Sequence, residues 1–161
     1  MVDCKKNIVD VEMGKGVKIA DFVNLYGCKI GDGTKIGTFV EIQRGATIGS
    51  NCKISSHSFI CEGVTIGNGV FVGHNVSFIN DRNPMAVNED GCLKNKEEWT
   101  MEKTEIGNNV SIGTSATLMC GITVGQGAMI GAGALVLHDV PQNAIVVGNP
   151  ARIIKYREQD E

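Results

Sequence analysis

Aromatic residues make up only 5% of this 161-residue chain, and Trp99 is its single tryptophan. An ordinary globular core leans on Phe, Tyr and Trp for volume. Hydrophobic residues still reach 42% here, so aliphatic side chains must fill the interior, which implies a narrow and regular core. No stretch approaches 18 apolar residues, so no membrane span is expected. The N-terminal MVDCKKNIVD has no apolar run after its lysines, which argues against a signal peptide and for a cytoplasmic protein. Lys and Arg form no basic cluster, and the net charge is −3. Nucleic acid is therefore disfavoured as a partner, because phosphate binding needs a concentrated basic face. The six cysteines show no CxxC pairing and read as isolated thiols, with Cys52 on an inward-facing position.

What the chain has in quantity is glycine, 21 in all, and a repeat. Every sixth residue from Ile30 is hydrophobic: Ile30, Ile36, Ile42, Ile48, Ile54, Ile60, Ile66, Val72 and Phe78. Four residues after each aliphatic stands a smaller one, from Thr34 and Val40 to Ala46, Cys52 and Ser58. A second register runs Ile106, Ile112, Leu118, Val124, Ile130 and Val136. A helix would repeat at 3.6 and a flat strand at two. Six fits a short strand plus a corner, with one large and one small side chain pointing inward. Three such sides close a triangular coil of about 18 residues, and stacked coils pair as parallel strands about 4.8 Å apart. The fold class is all-β, a left-handed parallel β-helix in a single domain over residues 1–161. Val17, Ile19, Val23 and Leu25 read as a less regular first coil.

Phe78 and Ile106 are 28 residues apart, which is not a multiple of six, so an insertion over residues 79–105 separates the two blocks. A long irregular loop on a regular solenoid points to function, and Trp99 would pin it to the coils. The character changes again after Val140. Over the tail, residues 141–161, Pro141 and Pro150 break the coil, and Arg152 to Arg157 are expected to form a short C-terminal helix. The acidic end, Glu158 to Glu161, reads as a frayed terminus.

The hexads, together with IGAGALVLHDVPQNAIVVGNPAR, resemble the hexapeptide-repeat acyltransferases. FVEIQRGATIGSNCKISSHSFICEGVTIG followed by FINDRNP is similar to the nucleotide-sugar N-acetyltransferases. Nearest are those that acetylate the 3-amino group of UDP-2-acetamido-3-amino-2,3-dideoxyglucuronate for glycan synthesis. The resemblance implies acetyl-CoA as co-substrate, a nucleotide-sugar acceptor, and a homotrimer with acetyl-CoA in the groove between adjacent subunits. It places Thr114 and Ala132 against the pantetheine. Leu137 and His138 stand where relatives carry Thr-Lys, and the change to Leu removes a hydroxyl. Arg152, with Lys155, would face the nucleotide phosphates of CoA. Asn80, in FIND, would hold the acceptor amine, or else open the loop as an Asx turn.

Attack on a thioester needs a neutral amine, and an α-amino group titrates near pH ~8, so an amine acceptor asks less of a base than a hydroxyl does. Relatives that acetylate hydroxyls carry a histidine in the inserted loop, and residues 79–105 contain none, which disfavours that chemistry. His74, four residues before the insertion, is the histidine placed to approach a site beneath the loop, as general base or as a locally bonded corner residue. Arg44, Glu62 and Asn80 are 18 apart and should stack on one edge of three coils, either as the wall of an acceptor groove or as an external, mutually satisfied ladder. Glu41, Phe59 and Ser77 form an adjoining column. Arg82 is a candidate for a substrate carboxylate or diphosphate. No metal site is expected: a γ-class carbonic anhydrase needs three histidines, two of them close in sequence, and HxxxxH is absent. A non-enzymatic scaffold on the same repeat is the reading from another class.

Overall fold

The computed structural model describes residues 5–95 and 97–157; Cys4 and the acidic end Glu158 to Glu161 lie outside them. The chain winds as a left-handed β-helix whose three faces are sheets of seven, six and eight strands. Most strands are only two residues long, such as Glu41–Ile42, Phe59–Ile60 and Ser77–Phe78 on the first face. The first residue of each pair looks outward and the second fills the interior. Pairing is parallel and in step with the hexad, so Ile42 lies on Ile60 and Ile54 on Val72. Every large hexad residue named above is buried, as are the small partners Val40, Ala46, Cys52 and Ser58. A fully buried aliphatic of this size stabilises by about 1.5–3 kcal/mol relative to exposure, which replaces the missing aromatic volume.

The coils do not all have one length. Asn24 pairs with Glu41, a step of 17, whereas Lys29 pairs with Thr47, a step of 18. The irregular first coil is thus one residue short. Thr65 pairs with Glu105 and Ser77 with Thr117, so the coil that carries the insertion spans 40 residues. Corners need left-handed backbone, and Asn or Gly supplies most of them, including Asn51, Asn75, Asn109 and Gly133.

The C-terminal helix is not formed. Arg152–Tyr156 is a strand, antiparallel to Ala144–Val147 at the end of the third face. The turn at Gly148 to Pro150 reverses the chain beside the open edge of Ala144–Val147, whose free backbone groups template a strand. Ile153 and Ile154, both β-branched, suit that state better than a helix. Among the described residues no helix is long and apolar enough to cross a membrane.

Candidate active site

The insertion leaves the first face after Phe78 and is tied down at both ends. Glu102 N donates to Asn80 O at 3.2 Å. Arg82 forks onto Glu102, with Nε to Oε1 at 3.1 Å and Nη2 to Oε2 at 3.0 Å, and Nη2 also donates to Cys120 O at 2.8 Å. The Arg82 guanidinium holds the Glu102 carboxyl below the usual carboxylate range. Further out, Asn95 N donates to Glu98 Oε2 at 2.7 Å, and that amide lowers the Glu98 carboxyl. Asn88 Oδ1 accepts from the amides of Asp90 and Cys92 in a tight turn. The loop encloses a pocket of about 360 Å³ lined by Asn80, Asp81, Met85, Lys94, Asn95 and Trp99. Trp99 is half-buried in its wall.

Arg44, Glu62 and Asn80 do share one edge, since Glu41, Phe59 and Ser77 stack in register beside them. Their side chains do not satisfy one another, however. Arg44 turns down the column to Asp10, at 3.8 Å, across Gly27, where a Cβ would lie 2.8 Å from Arg44 Cγ. Asn80 Nδ2 donates to the backbone carbonyl of Glu62 at 3.3 Å, not to its carboxylate. The same register carries the column on through Cys120 to His138. Next to it Tyr26 donates to Glu41 Oε1 at 3.3 Å, and burial leads the causes that raise its phenol above the ordinary value.

His74 is elsewhere. It occupies the corner at the other end of the first face, and Ser77–Phe78 runs between it and Asn80. Six residues at about 3.3 Å each put up to roughly 20 Å of extended chain between the two. His74 does not reach the loop pocket of its own chain, because a short step in sequence along a strand is a long step in space. Its neighbours up and down the coils are Ser56, Thr114 and Ala132: Asn75 N donates to Ser56 O, Ser115 N to His74 O and Gly133 N to Thr114 O. The two corners named for pantetheine therefore stand directly above the imidazole. His74 Nδ1 lies 2.7 Å from Ser56 Oγ.

The remaining CoA candidates divide. Leu137, His138 and Arg152 line one pocket of about 390 Å³ at the C-terminal mouth of the helix, with Val136, Val140 and Val146 at its base. Lys155 lies opposite Ile145 and outside that pocket. Thr114 and Ala132 are at the His74 corner, and Leu137 and His138 at the Asn80 corner. The candidate residues of a single chain thus fall at the two edges of one face. The sequence reading missed Asp81 and Lys94, which line the loop pocket, and Ser56 beneath His74. Asp81 was legible in the FIND motif; Lys94 carried no signal, since the loop has no period.

Among the described residues no three His, Cys, Asp or Glu side chains gather as a metal site. Cys28, Cys52, Cys61 and Cys120 are buried and free, and Cys92 is exposed. Burial pushes the Cys61 thiol up to about 12.

The profile described as "Bacterial transferase hexapeptide (six repeats)" matches residues 27–62, 45–80 and 103–138. These stretches take in more than half of the chain, both hexad blocks included. The chain belongs to the bacterial transferase hexapeptide family. Among its relatives, the bifunctional protein GlmU of Jannaschia sp. (strain CCS1) is 30% identical over 156 residues, covering 91% of this chain and 32% of its own. The chain spans about a third of the length of the curated relatives it matches. Among solved structures, a variant of AntD, an N-acyltransferase from Bacillus cereus in complex with dTDP and coenzyme A, superposes with a TM-score of 0.80 at 22% identity, covering 92% of this chain and 84% of that one. PerB from Caulobacter crescentus, in complex with CoA and GDP-perosamine, gives 0.63 at 18% identity, covering 92% and 58%. At such identities the likeness concerns the fold.

Proposed function

We propose that this chain is an acetyl-CoA-dependent N-acetyltransferase whose acceptor is the amino group of a nucleotide-linked sugar, of the UDP-2-acetamido-3-amino-2,3-dideoxyglucuronate type. On this reading it works in the cytoplasm as a homotrimer and feeds glycan synthesis. One observation carries the proposal: the candidate residues divide between the two edges of the first face. One edge has His74 beneath the Thr114 and Ala132 corners, and the other has Asn80 with the loop pocket. Chains packed side by side, edge to edge, would bring His74 of one to Asn80 of the next.

The Thr114–Ala132 edge suits a long thin ligand. Both residues are exposed and short, and a Cβ built on neighbouring Gly133 meets nothing within 4 Å, so the outer side of the corner is open. Acetyl-CoA supplies an activated acetyl group: the amine nitrogen bonds to the thioester carbon, the C–S bond breaks, and CoA leaves as its thiol. In this reading Asn80 orients the amine, a role worth a large rate factor without proton transfer, and His74 takes up the proton that the nitrogen loses. The absence of histidine from the insertion favours an amine over a hydroxyl acceptor. The ligands of the AntD and PerB complexes, CoA with dTDP or GDP-perosamine, support the pairing of CoA with a nucleotide-linked acceptor.

The test is a thiol-release assay with acetyl-CoA and a panel of UDP- and dTDP-linked amino sugars, each beside its hydroxyl counterpart. Thiol release with an amino sugar and not with its hydroxyl counterpart is the expected result. No release with any amine, and no rise in Tm with acetyl-CoA, would leave a scaffold as the reading.

A further inference from the structure

On the corner column that runs Asp21, Thr38, Ser56, His74, Thr114 and Ala132, the side chains of Ser56 and His74 are hydrogen-bonded to each other. We infer that Ser56 is a positioning residue: it accepts a hydrogen bond from Nδ1–H of His74 and so fixes the tautomer whose Nε2 lone pair is free to receive a proton. This rests on the acetyl-transfer reading for its purpose, though not for its geometry.

The geometry is specific. Ser56 Oγ and His74 Nδ1 are 2.7 Å apart, within the range of a well-formed bond. An imidazole has two nitrogens, and in its neutral form one donates while the other accepts. Engaging Nδ1 leaves Nε2, across the ring, as the nitrogen available to a substrate. It has no hydrogen-bond partner among the described residues. A serine hydroxyl can donate or accept, so the direction of the bond has to come from the column. Thr38, one coil lower, donates its hydroxyl hydrogen down the column to Asp21 O at 2.6 Å. A bond from His74 Nδ1–H to Ser56 Oγ has the same downward sense, and the half-exposed serine keeps its own hydrogen for solvent.

The surroundings make the serine the controlling contact. Below the ring the column offers Ser56 and Thr38, and above it Thr114, all neutral. Asn75, beside His74, sends its amide to Ser115 Oγ at 3.3 Å. The nearest ionisable side chains on these two corner columns are His57, one coil down and tilted against Phe39 at 4.9 Å between ring centroids, and Asp21, three coils down. Among the described residues no carboxylate is hydrogen-bonded to the imidazole. A neutral hydroxyl orients the ring without setting a negative charge beside it, and the proton that His74 takes from the amine is handed on to the departing thiolate. The balance is complete: the C–N bond forms, the C–S bond breaks, and the nitrogen's proton passes through Nε2 to sulfur.

Two variants and one spectrum test this. Ser56→Thr keeps the hydroxyl on a column that already accepts Thr38, and Ser56→Ala removes it. With acetyl-CoA and the accepted amino sugar, Ser56→Ala should lower kcat about fivefold, the size of one neutral hydrogen bond, with KM for both substrates unchanged. Ser56→Thr should restore kcat. In nitrogen-15 spectra of the unliganded protein at a pH where His74 is neutral, Nδ1 should be pyrrole-type and Nε2 pyridine-type, and Ser56→Ala should mix the two forms. A pyridine-type Nδ1 in the unmodified protein overturns the inference, as does a Ser56→Ala enzyme with undiminished kcat. If the unmodified protein acetylates no amine, the functional reading fails, and the tautomer spectrum alone decides the role of Ser56.

Discussion

Gly73 lies on the coil that carries His74 and faces the coil that carries Thr114, and its replacement by alanine measures how closely those coils must approach. A Cβ at Gly73 would stand 2.6 Å from Thr114 N, whereas ordinary contact begins near 3.4 Å. The coils would therefore have to part locally by about 0.8 Å, the difference between those distances. That movement stretches the bond from Gly73 N to Ile112 O, now 2.8 Å, and the bond from Ser115 N to His74 O, also 2.8 Å. Overpacking of this kind costs about 1–3 kcal/mol, and two backbone bonds weakened by about 0.5 kcal/mol each add roughly 1 kcal/mol, so Gly73→Ala should lose about 2–4 kcal/mol. Urea unfolding followed by circular dichroism would read the loss as a lower midpoint at unchanged slope. Gly133→Asn is the control: the site is open and left-handed at φ 67, a conformation asparagine tolerates, so stability should stay within about 0.5 kcal/mol. A Gly73→Ala protein as stable as the parent would refute the close approach on which the His74–Thr114 corner depends.

The thiols should separate by burial: with a thiol reagent at pH 8, Cys92 should react fast and Cys61 only on unfolding, since burial holds its thiol near 12. Equal rates at the two would contradict the packing of the core. Arg82→Ala should free the insertion and speed its cleavage by trypsin relative to the coils, without lowering the Tm of the β-helix by more than a few degrees. Because Arg82 depresses the Glu102 carboxyl, the contribution of their ion pair is present above the unfolded carboxyl range and lost as pH falls through the lower, folded value. Proteolysis of the loop at a series of acid pH values should therefore accelerate in the parent and stay flat in Arg82→Ala. Co-assembly of His74→Ala with Asn80→Ala chains should regain part of the activity that each lacks alone; mixtures as inactive as their components would rule out a site shared between subunits.

The hexad made the β-helix legible because each inward position admits one size of side chain. Ile42 and Cys52 could be assigned to the interior from spacing alone. The stacking of Arg44, Glu62 and Asn80 followed from the same arithmetic, but their contacts did not. A column fixes where side chains start, and Arg44 had two neighbours to choose between and took Asp10. His74 misled for a related reason, since nearness along a strand carries a residue to the far corner of its face. The C-terminal helix failed because the segment from Arg152 takes its conformation from the open edge of Ala144–Val147, a tertiary partner that no local pattern reveals. Lys94 and the loop pocket it lines were illegible for want of any period, though Asp81 stands in the FIND motif and the absence of histidine from the loop was plain.

The most direct test of the whole account is the identity of the product. Incubation with acetyl-CoA and a UDP-linked 3-amino sugar, followed by mass spectrometry before and after mild alkali, should show one acetyl group added and retained, as an amide would be. An acetyl group lost in alkali would mark an ester and contradict the assignment of an amine acceptor, and an unmodified sugar would contradict the transferase.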